Sequence, residues 1–322
     1  MGVLERLRTG KVAFVLSGGG NLGAIQVGML RALVERDIRA DMVLGCSVGA
    51  LNGAAYAADP TPEGIGRLEA LWRSIDDDAV MPSSWLPTQL MLARRRPAVH
   101  DSVGLRALVS DALGVDRFEA LQVPFQCVAT AVEPAAEAWF SSGPLVDPIM
   151  ASAALPGIFP LVQIGDLRYM DGAVVNDIPV TRAHELGART IYVLHVGTLD
   201  RPWLDPKRPY DVMVQAYWIA RRHRYHEDLA ALPTRVNVIV LPVGSPPRLK
   251  YNDFSHSDEL ITQAYAATAG LLDAAPARGR RGAKPPPAPL GPDPTSTGAA
   301  ATTSATASPG TVDPTTKPDA DG

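Results

Sequence analysis

Two glycine-rich runs, separated by one helical and one strand-like stretch, constrain this chain more than any other feature. Ser17-Gly18-Gly19-Gly20-Asn21-Leu22-Gly23 follows the apolar run Val12–Leu16, and Gly45-Cys46-Ser47-Val48-Gly49 follows Met42–Leu44. A strand that stops at glycines and restarts as a helix needs a turn with almost no side chains. Both runs therefore predict strand-to-helix junctions. After the first, Leu22, Ile25, Met29 and Leu33 keep helical spacing; after the second, Val48–Ala58 is an alanine-rich helix. Pro124–Ala129, Thr190–His195 and Val236–Leu241 read as further strands, and Gly165-Asp166 as the turn of a hairpin between Leu161–Ile164 and Leu167–Met170. Alternation of this kind predicts an α/β fold with a mostly parallel sheet.

Composition sets the limits of that fold. After Ala275 the chain turns to Pro, Ala, Thr, Ser and Gly, with ten prolines in residues 276–322 and Leu290 and Val312 as the only large aliphatics. Such a segment buries too little to offset its ordering entropy, so residues 1–275 are expected to form the domain and 276–322 a disordered tail. Thirty basic residues against 34 acidic ones give a formal charge of −4, which leaves no footprint for nucleic acid. Two cysteines, Cys46 and Cys127, exclude a disulfide scaffold and a four-cysteine zinc site, and their apolar neighbours predict buried thiols. Met1–Gly10 is too polar for a secretory signal, and Arg6 stands where a myristoylation start needs Ser or Thr. A cytoplasmic chain is expected. Any membrane contact would be peripheral: the apolar stretch from Met81 to Leu92, closed by Arg94-Arg95-Arg96, reads first as a lid and second as a surface for transient contact with an anionic lipid layer.

The chemistry of the two runs can be read separately. Gly18 to Gly23 fits G-x-G-x-x-G, a loop whose amides point at negative charge. A dinucleotide site wants an acid at the end of the second strand, whereas Asp41 precedes it; a nucleoside-triphosphate loop lacks its Gly-Lys-Ser/Thr. An oxyanion hole and a purely structural turn remain. The second run is G-x-S-x-G at a strand-to-helix junction, the context of a nucleophile elbow that lifts the Ser47 hydroxyl above the sheet. A base is less obvious. Six histidines are present, at 100, 184, 195, 223, 226 and 256. His195 is the best placed of them, while His223 and His226 lie in Arg221-Arg222-His223-Arg224-Tyr225-His226, which reads as a basic, solvated helix face. No convincing Ser–His–Asp triad emerges. Asp171, in Met170-Asp171-Gly172-Ala173, is the better base, although spacing alone does not separate it from Asp166 and Asp177.

Four blocks together resemble the patatin-like phospholipases, a family of lipid acyl hydrolases: Ser17 to Ala24, Gly45 to Gly49, Ala151-Ser152-Ala153-Ala154-Leu155-Pro156-Gly157-Ile158-Phe159-Pro160, and Asp171-Gly172-Ala173. The resemblance covers about residues 10–275. It implies a three-layer α/β/α fold and a Ser–Asp dyad without histidine, metal or organic cofactor. Ser47 is then the nucleophile, Asp171 the proton acceptor, and the amides of Gly18, Gly19 and Gly20 the oxyanion hole. Gly23, Gly45, Gly49 and Gly172 complete the motifs. The implied reaction is hydrolysis of a carboxylic ester of a lipid through an acyl-enzyme. The family usually carries Arg or Lys where this chain has Leu22, which instead extends the apolar stripe of the next helix. That departure keeps open an alternative of another class, an inactive patatin-like module that binds lipid or protein.

Overall fold

Alternation along the strands decides the layering. In β1 (Lys11–Leu16), Ala13 and Val15 join one hydrophobic core while Phe14 and Leu16 join another on the opposite face. In β2 (Met42–Cys46), Met42 and Leu44 go with Ala13, and Val43 with Phe14. A sheet buried on both faces must be covered twice, and it is. On the Phe14 face pack α1 (Ala24–Glu35), α2 (Val48–Ala58), α3 (Pro62–Ser74), α4 (Val103–Leu113), α5 (Val146–Ser152) and α8 (Ser257–Ala274). On the Ala13 face pack α6 (Val180–Glu185) and α7 (Pro209–Ala231), which contribute Val180, Ala183 and Tyr225 to its core. The computed structural model describes residues 10–75, 102–197, 209–245 and 253–274, together with 205, 207 and 249. The tail expected at 276–322, the chain start and the apolar stretch from Met81 to Leu92 with its arginines lie outside the described residues.

Hydrogen bonding orders the sheet β5-β6-β3-β2-β1-β7-β8, with β4 also on β3. β1, β2, β3 (Phe125–Ala131), β7 (Ala188–Leu194) and β8 (Asn237–Val240) are mutually parallel. β4 (Ala136–Phe140), β5 (Val162–Ile164) and β6 (Leu167–Asp171) form an antiparallel extension. The expected hairpin is β5–β6, and Gly165 at its turn has φ +61°. β4 has no counterpart among the strands read from the sequence. Asp41, weighed as a ribose ligand, accepts the Val12 amide at 2.8 Å and so fastens the start of β1.

The register around β3 matters most for the site. β4 takes one edge of β3 over Cys127–Ala131. The other edge is shared end to end: β2 covers Phe125–Val128 and β6 covers Ala129–Ala131. Because β2 runs parallel to β3 and β6 antiparallel, their C-termini converge. Cys46 stands opposite Val128 and Asp171 opposite the next residue, Ala129.

Candidate active site

Ser47 is the first residue beyond that convergence. It caps α2 with φ 54° and ψ −126°, a conformation that a non-glycine residue holds only when its surroundings force it. The force comes from close packing. A Cβ on Gly49 would lie 2.4 Å from the Leu16 carbonyl oxygen and 2.5 Å from that of Ser17, so only glycine lets α2 settle on the end of β1. Gly45, Gly23 and Gly172 are similarly enclosed, by Gly49, by Val48 with Trp72, and by the Val128 backbone. The Ser47 amide donates to Ser152 Oγ at 2.9 Å. Ser152 is fully buried at the end of α5, within the Ala151–Pro160 block.

Asp171 ends β6 on the other side of the junction and is 1% exposed. Its carboxylate faces the Ser47 side chain across the junction, and its Oδ1 accepts the Ala173 amide at 2.8 Å. The Cys46 thiol lies 3.9 Å from the same oxygen. Burial pushes the Asp171 pKa up to about 6, against the Ser47 side chain, the Ala173 amide and the charge of Arg221, which pull it down. The two other candidate aspartates have different tasks. Asp166 sits exposed at the hairpin turn. Asp177 is buried, accepts the Gly18 amide on Oδ1 at 2.8 Å, and pairs through Oδ2 with Arg221 of α7.

That contact corrects the expected oxyanion hole. The Gly18 amide is taken by Asp177 and is not free for an oxyanion. Gly19 and Gly20 donate to no described residue through their amides, and Gly20, at φ +60°, borders open space. The basic stretch from Arg221 is corrected too. Arg221 is not solvated: its side chain is 8% exposed and lies 4.5 Å from the Trp218 ring centroid and 5.1 Å from that of Tyr217. His223, in contrast, is exposed and pairs with Glu227. His195 is buried at the end of β7 with Nδ1 accepting the Gly197 amide, and no described histidine lines the site.

Ser47, Asp171 and the glycine loop open into a cavity of about 450 Å³. Its walls are apolar, with Leu51, Trp72, Leu108, Ile149, Phe159 and Phe254 among them, and Arg221, Tyr217 and Trp218 close the side toward α7. Leu22 is half-buried and packs against the core of the Phe14 face, as its place in the apolar stripe predicted.

A family model of patatin-like phospholipases matches residues 14–184, more than half of the chain. The chain belongs to this family. A patatin-like phospholipase domain-containing protein of Caenorhabditis elegans, ZK370.4, is 30% identical over 250 residues, covering 76% of this chain and 17% of that protein. Lysophospholipase NTE1 of Mycosarcoma maydis is 29% identical over 242 residues, covering 71% of this chain and 12% of that one. The crystal structure of VipD from Legionella pneumophila aligns with a TM-score of 0.43 and 15% identity over 82% of this chain and 67% of that one. This patatin-like chain thus matches only a small part of each sequence relative, 17% and 12% of their lengths.

Proposed function

We propose that the chain hydrolyses carboxylic esters of lipids through an acyl-enzyme on Ser47. The observation that carries this reading is the meeting of Ser47 and a buried carboxylate, Asp171, at the converging ends of β2 and β6, where both line one apolar cavity. The cavity takes the acyl chain, which suits its apolar walls. Ser47 Oγ attacks the ester carbonyl carbon while its proton passes to Asp171, and the amides of Gly19 and Gly20 receive the charge on the carbonyl oxygen. The C–O bond to the alcohol then breaks, and Asp171 returns the proton to the departing oxygen. Water repeats the sequence: it gives a proton to Asp171, attacks the acyl-enzyme and releases the acid, and Ser47 recovers the proton.

A carboxylate is an ordinary base only in water. Burial that raises Asp171 to about 6 brings it closer to the working range of a general base and keeps it ionised at neutral pH. Turnover should therefore fall as the pH drops through about 6, where Asp171 takes up its proton. The test is a chromogenic acyl ester together with a fluorophosphonate probe. Wild-type protein should turn over the ester and be labelled on Ser47, and Ser47→Ala should abolish both. Labelling elsewhere, or esterase activity that survives Ser47→Ala, would overturn the reading.

A further inference from the structure

Arg221 and Asp177 bury a full ion pair beside the dyad, and the chemistry above gives it no task. Arg221 is 8% and Asp177 4% exposed at the side chain. Desolvating two ions is so unfavourable that apolar residues of the same size generally hold a core at least as well, so stability alone is a poor reason for the pair. Its connections are more informative. Asp177 spends one oxygen on Arg221 and the other on the Gly18 amide, 159 residues away in the chain. Arg221 lies between Asp177 and the rings of Tyr217 and Trp218, its neighbours on α7.

We propose that Asp177 and Arg221 are positioning residues: Asp177 fixes the glycine loop through the Gly18 amide, and Arg221 fixes Asp177. The inference rests on the reading of Ser47 and Asp171 given above. A Cβ on Gly18 would lie 2.9 Å from Asp177 Oδ1 and 3.0 Å from Ser47 Cβ, so the glycine is wedged between the carboxylate that holds it and the serine it faces. With Gly18 tied back, the next two amides are presented toward the cavity at a fixed distance from Ser47. An oxyanion hole works only when its donors are already in place, so the tether should act on kcat rather than on substrate affinity.

The pair also faces Asp171 electrostatically. The groups around that carboxylate are Ser47 and Cys46 from the β2–α2 junction, Asp177 from the segment after β6, and Tyr217 and Arg221 from α7. Arg221 favours its ionised form and Asp177 disfavours it. Removing either partner should therefore shift the acid limb of the pH profile, in opposite directions.

The experiment compares Asp177→Ala, Asp177→Asn, Arg221→Gln and the Asp177→Asn/Arg221→Gln double variant in the full chain. Hydrogen exchange is followed on the peptide carrying Ser17 to Gly23, and kinetics on a soluble chromogenic ester. Asp177→Ala should lose protection at Gly18 and roughly 10²-fold in kcat, with KM changed less than about threefold. Asn keeps the acceptor for Gly18, so Asp177→Asn should retain protection and move the acid limb to lower pH. Arg221→Gln should move it up by roughly one pH unit, and the double variant should fall between the two. Limbs that stay in place or move together, or unchanged exchange at Gly18 in Asp177→Ala, overturn the proposal. If only one of Asp177→Asn and Arg221→Gln folds, the sign of its shift decides. If neither folds and the double variant has wild-type kcat, the pair is structural and the proposal falls; a lowered kcat supports it. Esterase activity that survives Ser47→Ala defeats the dyad instead, and the exchange result is independent of it.

Discussion

The elbow that carries Ser47 is built from backbone, whereas the wall that carries Asp171 is built from charge. At the elbow, Gly45 and Gly49 bring α2 against the ends of β1 and β2, Ser47 is held at φ 54°, and Ser152 receives its amide. Across the junction, Asp171, Asp177 and Arg221 are buried together and answer to one another. The first arrangement fixes a position and tolerates no added atom. The second fixes a proton affinity and is held against the cost of burying ions. Substitutions on the two sides should accordingly fail in different ways.

The largest separation of the two is expected from Asp171→Asn. Loss of the proton acceptor should lower kcat roughly 10²- to 10⁴-fold. The fold should gain, because the native pKa of Asp171 lies above its ordinary 3.8: its contribution to stability is greatest below that value and is lost as the pH rises through about 6. At pH 7 the ionised carboxylate costs on the order of 3 kcal/mol at most, and Asn removes that cost while keeping an acceptor for the Ala173 amide. A higher melting temperature at pH 7, with the gain vanishing near pH 4, checks this; a lower one would mean the wall is held in the same way as the elbow. Gly49→Ala should do the reverse. Its Cβ meets two backbone oxygens that cannot move independently, so denaturant titration should show a loss of about 3 kcal/mol.

Ser152→Ala sharpens the comparison from the middle, since Ser152 reaches the elbow from α5. It leaves the buried Ser47 amide unpartnered, worth about 1–3 kcal/mol, and fluorophosphonate labelling should slow along with the fall in melting temperature. Labelling at the wild-type rate would show that φ at Ser47 is set by the glycines alone. The smallest effect is expected from Leu22→Arg. The half-buried side chain can be replaced by one that runs its stem over the core and places its charge in water, so stability should fall by less than about 1 kcal/mol. Head-group preference in a vesicle hydrolysis assay should not change. A new preference for anionic lipids would place position 22 in the site.

Much of the elbow side was legible in the sequence because local chemistry specifies it. Glycines between an apolar run and a helical stripe leave few conformations, and the junctions after β1 and β2 fall where those glycines predict. The charged side was not. Asp166, Asp171 and Asp177 occur within twelve residues, and spacing does not separate them; the family resemblance alone singles out Asp171, and pairing with β3 sets it at a strand end rather than at the hairpin turn. In sequence Arg221 reads as solvated, because its neighbours Arg222, His223 and Arg224 present polar groups around the whole helix. Its real partners lie on the same helix stripe one turn earlier and on a segment some 40 residues back in the chain. The Gly18 amide could not have been struck from the oxyanion hole without knowing where Asp177 lies.

The end-to-end sharing of one β3 edge has a consequence for how this protein comes into being. Cys46 and Asp171 are 125 residues apart, yet they meet only because β2 and β6 both dock on a strand that lies between them in the chain. Contacts of such long range close late and slowly. As synthesis proceeds from the N-terminus, the glycine loop and the elbow emerge first and can pack on each other while Asp171 has yet to be made. On the proposed dyad, a ribosome-bound or truncated chain would carry Ser47 without its proton acceptor. If Ser47 and Asp171 act as proposed, the reactive centre is assembled only when β6 docks on β3, so hydrolytic activity would report that this long-range pairing has formed.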